Sequence, residues 1–268
     1  MNEIELSRVT KTFPPKGMRG PVIVLDRLSL GVSRGSTVAV VGRSGAGKTT
    51  LLNIIARLVL PNSGVVSIAG EDDRDGPGCV RIGYLFQRDA LLPWRTALSN
   101  ALLGLECRGE RTERHVARAI EMFEQFGLRG SEHALPQGLS GGQRQRVALI
   151  QNILFSPRIL LLDEPFGSVD YQTKLLLEDA LLAMLRWTGD ARPTVVFVTH
   201  DIEEAIVMAD RILVLDGERG FVFDEQVPID ATEKSAVGTR QTVVLREMFG
   251  QIWRALALDG RRETYTSC

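Results

Sequence analysis

Gly42-Arg43-Ser44-Gly45-Ala46-Gly47-Lys48-Thr49 sets glycines, a lysine and a threonine at the spacing of a loop that wraps phosphate groups. Glycines let successive backbone N–H groups turn inward, and a following helix adds its positive end. Lys48 offers a point charge to β- and γ-phosphates, and the hydroxyl of Thr49 suits Mg²⁺. The loop alone points only to a nucleoside triphosphate. A plain glycine-rich turn before an amphipathic helix is the alternative, but the short apolar strand Val38 to Val41 running straight into the loop weighs against it.

Ile159-Leu160-Leu161-Leu162-Asp163-Glu164-Pro165 has the form of a buried strand that delivers two carboxylates at its end. Asp163 suits the shell of Mg²⁺. Glu164, one residue on, is placed to polarise a water beside the γ-phosphate, and anionic neighbours favour its accepting a proton. Gln87 follows the apolar stretch Ile82 to Phe86, where its amide oxygen can touch Mg²⁺ or the attacking water. His200 ends the run Val195 to Val198 and can hydrogen-bond a γ-phosphate oxygen from a neutral ring. Ser168-Val169-Asp170 sits just beyond the carboxylates. Leu139-Ser140-Gly141-Gly142-Gln143 opens a helix with small residues, so Ser140 and nearby backbone donors can meet phosphate oxygens.

The elements that must hold these groups are legible in outline. Glu3 to Val9 and Val22 to Val32 tend to alternate apolar with polar residues, as half-buried strands do. The breaker-rich segment Pro14 to Pro21 separates them, and Val65 to Ala69 continues the same antiparallel layer. Thr49 to Leu60 carries helical spacing, and the runs at 159–162 and 195–198 predict parallel strands covered by helices. From about Thr96 to Ser156 the pattern predicts an inserted helical lobe, with Val116, Ala119, Ile120 and Phe123 on one stripe and Gly127 as a stop. Near the end, Leu245, Met248, Phe249, Ile252, Trp253 and Leu256 make an apolar face expected to pack as core.

Over nearly its whole length the chain resembles the ATP-binding-cassette ATPases. That resemblance implies an α/β fold: a P-loop NTPase core with a mainly parallel sheet, an N-terminal antiparallel β-layer and an inserted helical lobe. It implies an ATPase domain over 1–225, its lobe at about 96–156, and a C-terminal tail over 226–268 with an amphipathic helix. ATP and Mg²⁺ are the implied ligands. Gly42, Arg43, Ser44, Gly45, Ala46, Gly47, Lys48, Thr49 and Thr50 would hold the phosphates, and Phe13 would stack on adenine. Ser140, Gly141, Gly142 and Gln143 match the family signature, in which the serine and second glycine contact the γ-phosphate bound by a second subunit. Gln87, Asp170 and His200 match the Q-loop, D-loop and switch histidine, with Glu164, His200 and Gln87 catalytic and Thr49, Gln87 and Asp163 around the metal.

Three further stretches resemble the branch of importer ATPases for nitrate, sulfonates, taurine and related small solutes: Leu91 to Leu98, Asp163 to Thr173, and Val198 to Ala205. The implied partners are a second copy of the chain, an integral membrane permease and, indirectly, a solute-binding protein, at the cytoplasmic face of the cell membrane. Trp94 is the candidate contact with a short permease helix, set against simple packing in the lobe. Gln151-Asn152 and the chain beyond Gly217 depart from the family pattern.

Composition is consistent with this. With 44% hydrophobic and 24% charged residues over 268 positions, one large α/β domain or a core with a smaller lobe is expected, and two cassettes are not. Lys plus Arg (32) against Asp plus Glu (33) leaves a net charge of −1, which gives no global footprint for nucleic acid. Cys79, Cys107 and Cys268 have no metal-ligand spacing, and neither a secretory start nor a spanning segment is expected. A soluble cassette ATPase acting on ribosomes or DNA would share the catalytic motifs but should show a second cassette, a long heptad insertion or a basic face. A P-loop kinase would share the phosphate loop and carboxylates and have no need of Leu139 to Gln143 or His200.

Overall fold

The computed structural model describes residues 2–14, 20–72, 80–87, 90–167, 169–187 and 192–259. Of the expected loop Pro14 to Pro21, residues 15–19 lie outside the described residues, as do Ser168, Cys79 and Cys268. The chain divides into two compact units, Met1–Val80 with Thr194–Cys268, and Arg81–Pro193.

In the first unit, β1 (Asn2–Phe13), β2 (Val22–Ser33), β4 (Ser63–Ile68) and β5 (Glu71–Asp72) form an antiparallel layer in the order β2-β1-β4-β5. The alternation read from the sequence places Ile4 opposite Val32 and Ile68, and Leu6 opposite Leu30 and Val66, all buried. Such apolar cross-strand pairs set the register, because a one-residue slip would turn them to the opposite face. The register shifts between Leu6 and Val9, where Arg8 takes φ 50.

The same unit contains β3 (Thr37–Val41), β8 (Thr194–Thr199) and β9 (Arg211–Asp216) as parallel neighbours, with β10 (Gly220–Gln226) antiparallel on β9. All five residues of β3 and all six of β8 are buried, which explains their unbroken apolar character. Val41 pairs with Thr199, so the chain leaves β3 and β8 at one edge, immediately before Gly42 and His200. Helix α1 (Lys48–Ile55) follows β3, and α7 (Ile202–Met208) follows β8 with the Asp201 side chain accepting from the Glu204 N–H. The expected helix to Leu60 is shorter: it ends at Ile55, and Arg57 at φ 58 turns the chain before exposed Leu58 and Leu60.

The second unit carries β6 (Ile82–Leu85) and β7 (Ile159–Asp163), parallel and in register with Leu85 opposite Leu162. Phe86-Gln87 and Asp163-Glu164 therefore emerge at a common edge. Between them run α2 (Ala97–Ala101), α3 (Leu103–Cys107), α4 (Glu113–Gln125) and α5 (Gly141–Leu154), and α6 (Tyr171–Trp187) follows β7. Thr112 and His115 form a capping box at the start of α4, and Gly127 at φ 63 closes it. The buried stripe is Ala119, Met122 and Phe123. Ile120, expected on it, is 48% exposed, because the stripe runs one position round from the predicted face. No helix among the described residues is long and apolar enough to cross a membrane.

Candidate functional site

In the first unit the loop after β3 takes the form of a phosphate cradle. Gly45 and Gly47 have φ 84 and 97, conformations that an L side chain strains to adopt. A Cβ on Gly47 would stand 2.9 Å from the Val24 carbonyl oxygen, and one on Gly42 2.5 Å from that of Leu215, so both are pressed against backbone. A Cβ on Gly45 would meet nothing within 4 Å, which is the open side of the cradle. Lys48, at the first turn of α1, is buried, and its Nζ donates to the carbonyl oxygens of Gly42 (2.7 Å) and Arg43 (2.9 Å). The ammonium is thus held across the loop.

Arg43, Ser44, Gly45 and Thr49 are exposed, Thr50 is half-buried and Ala46 is buried. His200 joins Val41, Gly42, Arg43 and Ser44 around one cavity of about 450 Å³. Its remaining wall is Trp253, Leu256 and Ala257 of α8 (Val243–Asp259). This corrects the expectation for the C-terminal apolar face. Leu245, Met248 and Ile252 do pack as core, but Trp253 is 60% exposed and lines the cavity beside the phosphate loop. Helical spacing alone cannot tell two adjacent apolar stripes apart. Phe13 ends β1 partly exposed, with the Lys11 ammonium 5.1 Å from its ring centre.

In the second unit, β7 carries Asp163 into a buried position and ends at Glu164, which takes the left-handed conformation at φ 49. For a residue with a full side chain that is uncommon, and such conformations cluster at working sites. Gln87 Nε2 stands 3.5 Å from Glu164 Oε2, a long contact at the limit of a hydrogen bond. Burial raises the Tyr84 hydroxyl pKa, and the Asp163 carboxylate raises it further. Asp163 and Glu164 set two carboxylates in succession at the end of β7.

Ser140 is the N-cap of α5. The Gln143 N–H donates to Ser140 Oγ (3.2 Å), and Gln143 Oε1 accepts from the Ser140 N–H (2.8 Å). The Gln143 side chain is thus committed to a capping box, whereas the Ser140 hydroxyl retains its proton to donate. Gly141 and Gly142 form the first turn. Asp170 accepts from Thr173 Oγ1 (2.6 Å) and the Thr173 N–H (3.0 Å), and these bonds hold its carboxyl below the usual range.

One residue of the second unit lies outside the motifs read from the sequence. Gln145, buried on α5, donates from Nε2 to the carbonyl oxygens of Glu164 (3.1 Å) and Pro165 (2.7 Å). Both partners are acceptors, so the amide can be oriented only this way. Its Oε1 is buried with no partner among the described residues, a cost of about 1–3 kcal/mol that the two donor bonds must offset. A polar side chain between Arg144 and the apolar run Val147 to Ile150 was the available hint.

A profile described as ABC transporter matches residues 25–167. The chain belongs to the ABC transporter family. It is 43% identical over 227 residues to the aliphatic sulfonates import ATP-binding protein SsuB of Burkholderia ambifaria, covering 85% of this chain and 65% of that relative's length. It is 36% identical over 257 residues to the taurine import ATP-binding protein TauB of Pseudomonas aeruginosa, covering 96% and 95%. Among solved structures, the dimeric post-hydrolysis state of the ATP-binding cassette MJ0796 bound to ADP and Pi superposes with a TM-score of 0.75 at 31% identity, covering 85% of this chain and all of that one.

Proposed function

We propose that the chain is the ATP-hydrolysing subunit of an importer, pairing head to tail with a second copy around two ATP molecules to drive a membrane permease. The observation that carries this reading is the loop after β3, where inward glycines and the tethered Lys48 ammonium form a triphosphate cradle. The sulfonate and taurine relatives support a small solute such as nitrate, a sulfonate or taurine. Trp94, 74% exposed in the second unit, supports a permease contact after Gln87. We place the cassette domain at 1–225, with its helical lobe at about 96–156, and the tail at 226–268, and the working position at the cytoplasmic membrane face beside a permease served by a solute-binding protein.

In this reading residues 42–50 hold the phosphates, Phe13 meets the adenine, and His200 donates to a γ-phosphate oxygen. Glu164 takes the proton of the attacking water, and Gln87 orients that water. Ser140, Gly141 and Gly142 bind the γ-phosphate held by the facing copy, with Gln143 fixing their turn and Asp170 beside them. The Thr49 hydroxyl, the Asp163 carboxylate and the Gln87 amide oxygen are hard oxygen donors, the set that suits Mg²⁺. When bound, that ion would neutralise charge developing on the phosphates.

Two experiments test it. Ser140→Arg should leave the subunit's own nucleotide binding within about twofold while cutting phosphate release by about 100-fold, since the new side chain fills space the facing phosphate must enter. Parental hydrolysis, or loss of ATP binding, would rule out a site shared between copies. Fractionation of cells expressing the chain alone should recover it off the membrane, and co-expression with its permease should move it there. Tight membrane binding without the permease would count against the assembly.

A further inference from the structure

We infer that Gln145 is a positioning residue that couples the Ser140 end of α5 to the Glu164 carboxylate. This rests on the reading of Glu164 as the proton acceptor. Ser140 caps α5 and Gln145 lies within its second turn, roughly 7.5 Å along the axis. A helix segment that short moves as a rigid piece. Whatever Ser140 and the first turn bind therefore sets where the Gln145 amide stands.

That amide holds the backbone that presents Glu164. Its two N–H groups reach the carbonyls of Glu164 and Pro165 at 3.1 and 2.7 Å. The Glu164 carbonyl also accepts from the Gly167 N–H at 3.2 Å, so the turn is pinned from within and from α5. Pro165 has no N–H of its own with which to anchor the segment. Glu164 sits at φ 49, a conformation that persists only where neighbours enforce it. Without the amide, the turn has fewer restraints against relaxing, and the carboxylate leaves its place beside the water.

The side chain is specific for this task. A leucine has no donor, and the isosteric glutamate would set anionic oxygens against two carbonyl oxygens. Asparagine retains the amide but is one methylene too short. The coupling makes hydrolysis respond to occupancy of the Ser140 turn, so Glu164 is aligned when the facing phosphate has arrived.

The test compares Gln145→Leu, Gln145→Asn, Glu164→Gln and the Gln145→Leu/Glu164→Gln double variant in the full chain, with ATP and Mg²⁺. Gln145→Leu and Gln145→Asn should lower kcat by about 10- to 100-fold with ATP affinity within twofold. The double variant should be no slower than Glu164→Gln within twofold, and should still form the ATP-dependent dimer. A defect that is merely structural would lower thermal stability, and kcat would recover on cooling. Parental kcat in either single variant, a matching loss of ATP affinity, or losses that multiply in the double variant would overturn the coupling. If Gln145→Leu fails to fold, the milder Gln145→Asn decides. If Glu164→Gln itself hydrolyses ATP like the parent, the reading of Glu164 fails and the inference falls with it.

Discussion

Lys48→Ala is expected to weaken ATP binding about 100-fold and to reduce turnover to background. The ammonium is the one buried cation of the loop after β3, and its position is held by the carbonyls of Gly42 and Arg43. In the proposed site, alanine removes the charge offered to the phosphates, and it takes away the donor to the Gly42 and Arg43 carbonyls. Charge-assisted hydrogen bonds contribute about 1.5–3 kcal/mol each, and 1.4 kcal/mol is a decade of affinity. On the proposed mechanism the same charge would oppose the negative charge that builds during phosphoryl transfer, where losing one such contact costs about 10²–10³ in rate. A nucleotide titration beside a phosphate-release assay measures both. Near-parental turnover in a folded Lys48→Ala protein would remove the loop from the mechanism.

Glu164→Gln should separate binding from chemistry. The substitution retains shape, and nothing in it disturbs the main-chain bonds from Gln145 that hold the turn. An amide cannot accept the proton of water, and general-base contributions are worth about 10²–10⁴ in rate. ATP affinity should stay within a fewfold of the parent, phosphate release should fall by that factor, and an ATP-loaded dimer should accumulate in sedimentation. Hydrolysis at the parental rate would assign the base elsewhere.

Much of this arrangement was legible because its parts obey local rules. Buried parallel strands read as unbroken apolar runs, and the candidate groups lie just past their ends: Gly42 after β3, Gln87 after β6, Glu164 after β7 and His200 after β8. The signature stretch announces itself by small residues at a helix start. Less legible were features decided by which way a face turns. Ile120 and Trp253 satisfy helical spacing, yet packing places each beyond the edge of the buried stripe. Arg57 at φ 58, which ends α1 early, has no marker in its residue type. The role of Gln145 was harder to read for another reason: its partners are backbone carbonyls, and a carbonyl looks the same in every residue.

The wall that α8 lends to the first unit's cavity has an optical consequence. Indole emission shifts with the polarity and mobility of its surroundings, and Trp253 stands beside Gly42, Arg43, Ser44 and His200. The other two tryptophans, Trp94 and Trp187, belong to the second unit. The protein thus carries an intrinsic chromophore on the wall of the cavity beside its phosphate loop, and nucleotide entering that cavity is expected to shift the Trp253 emission.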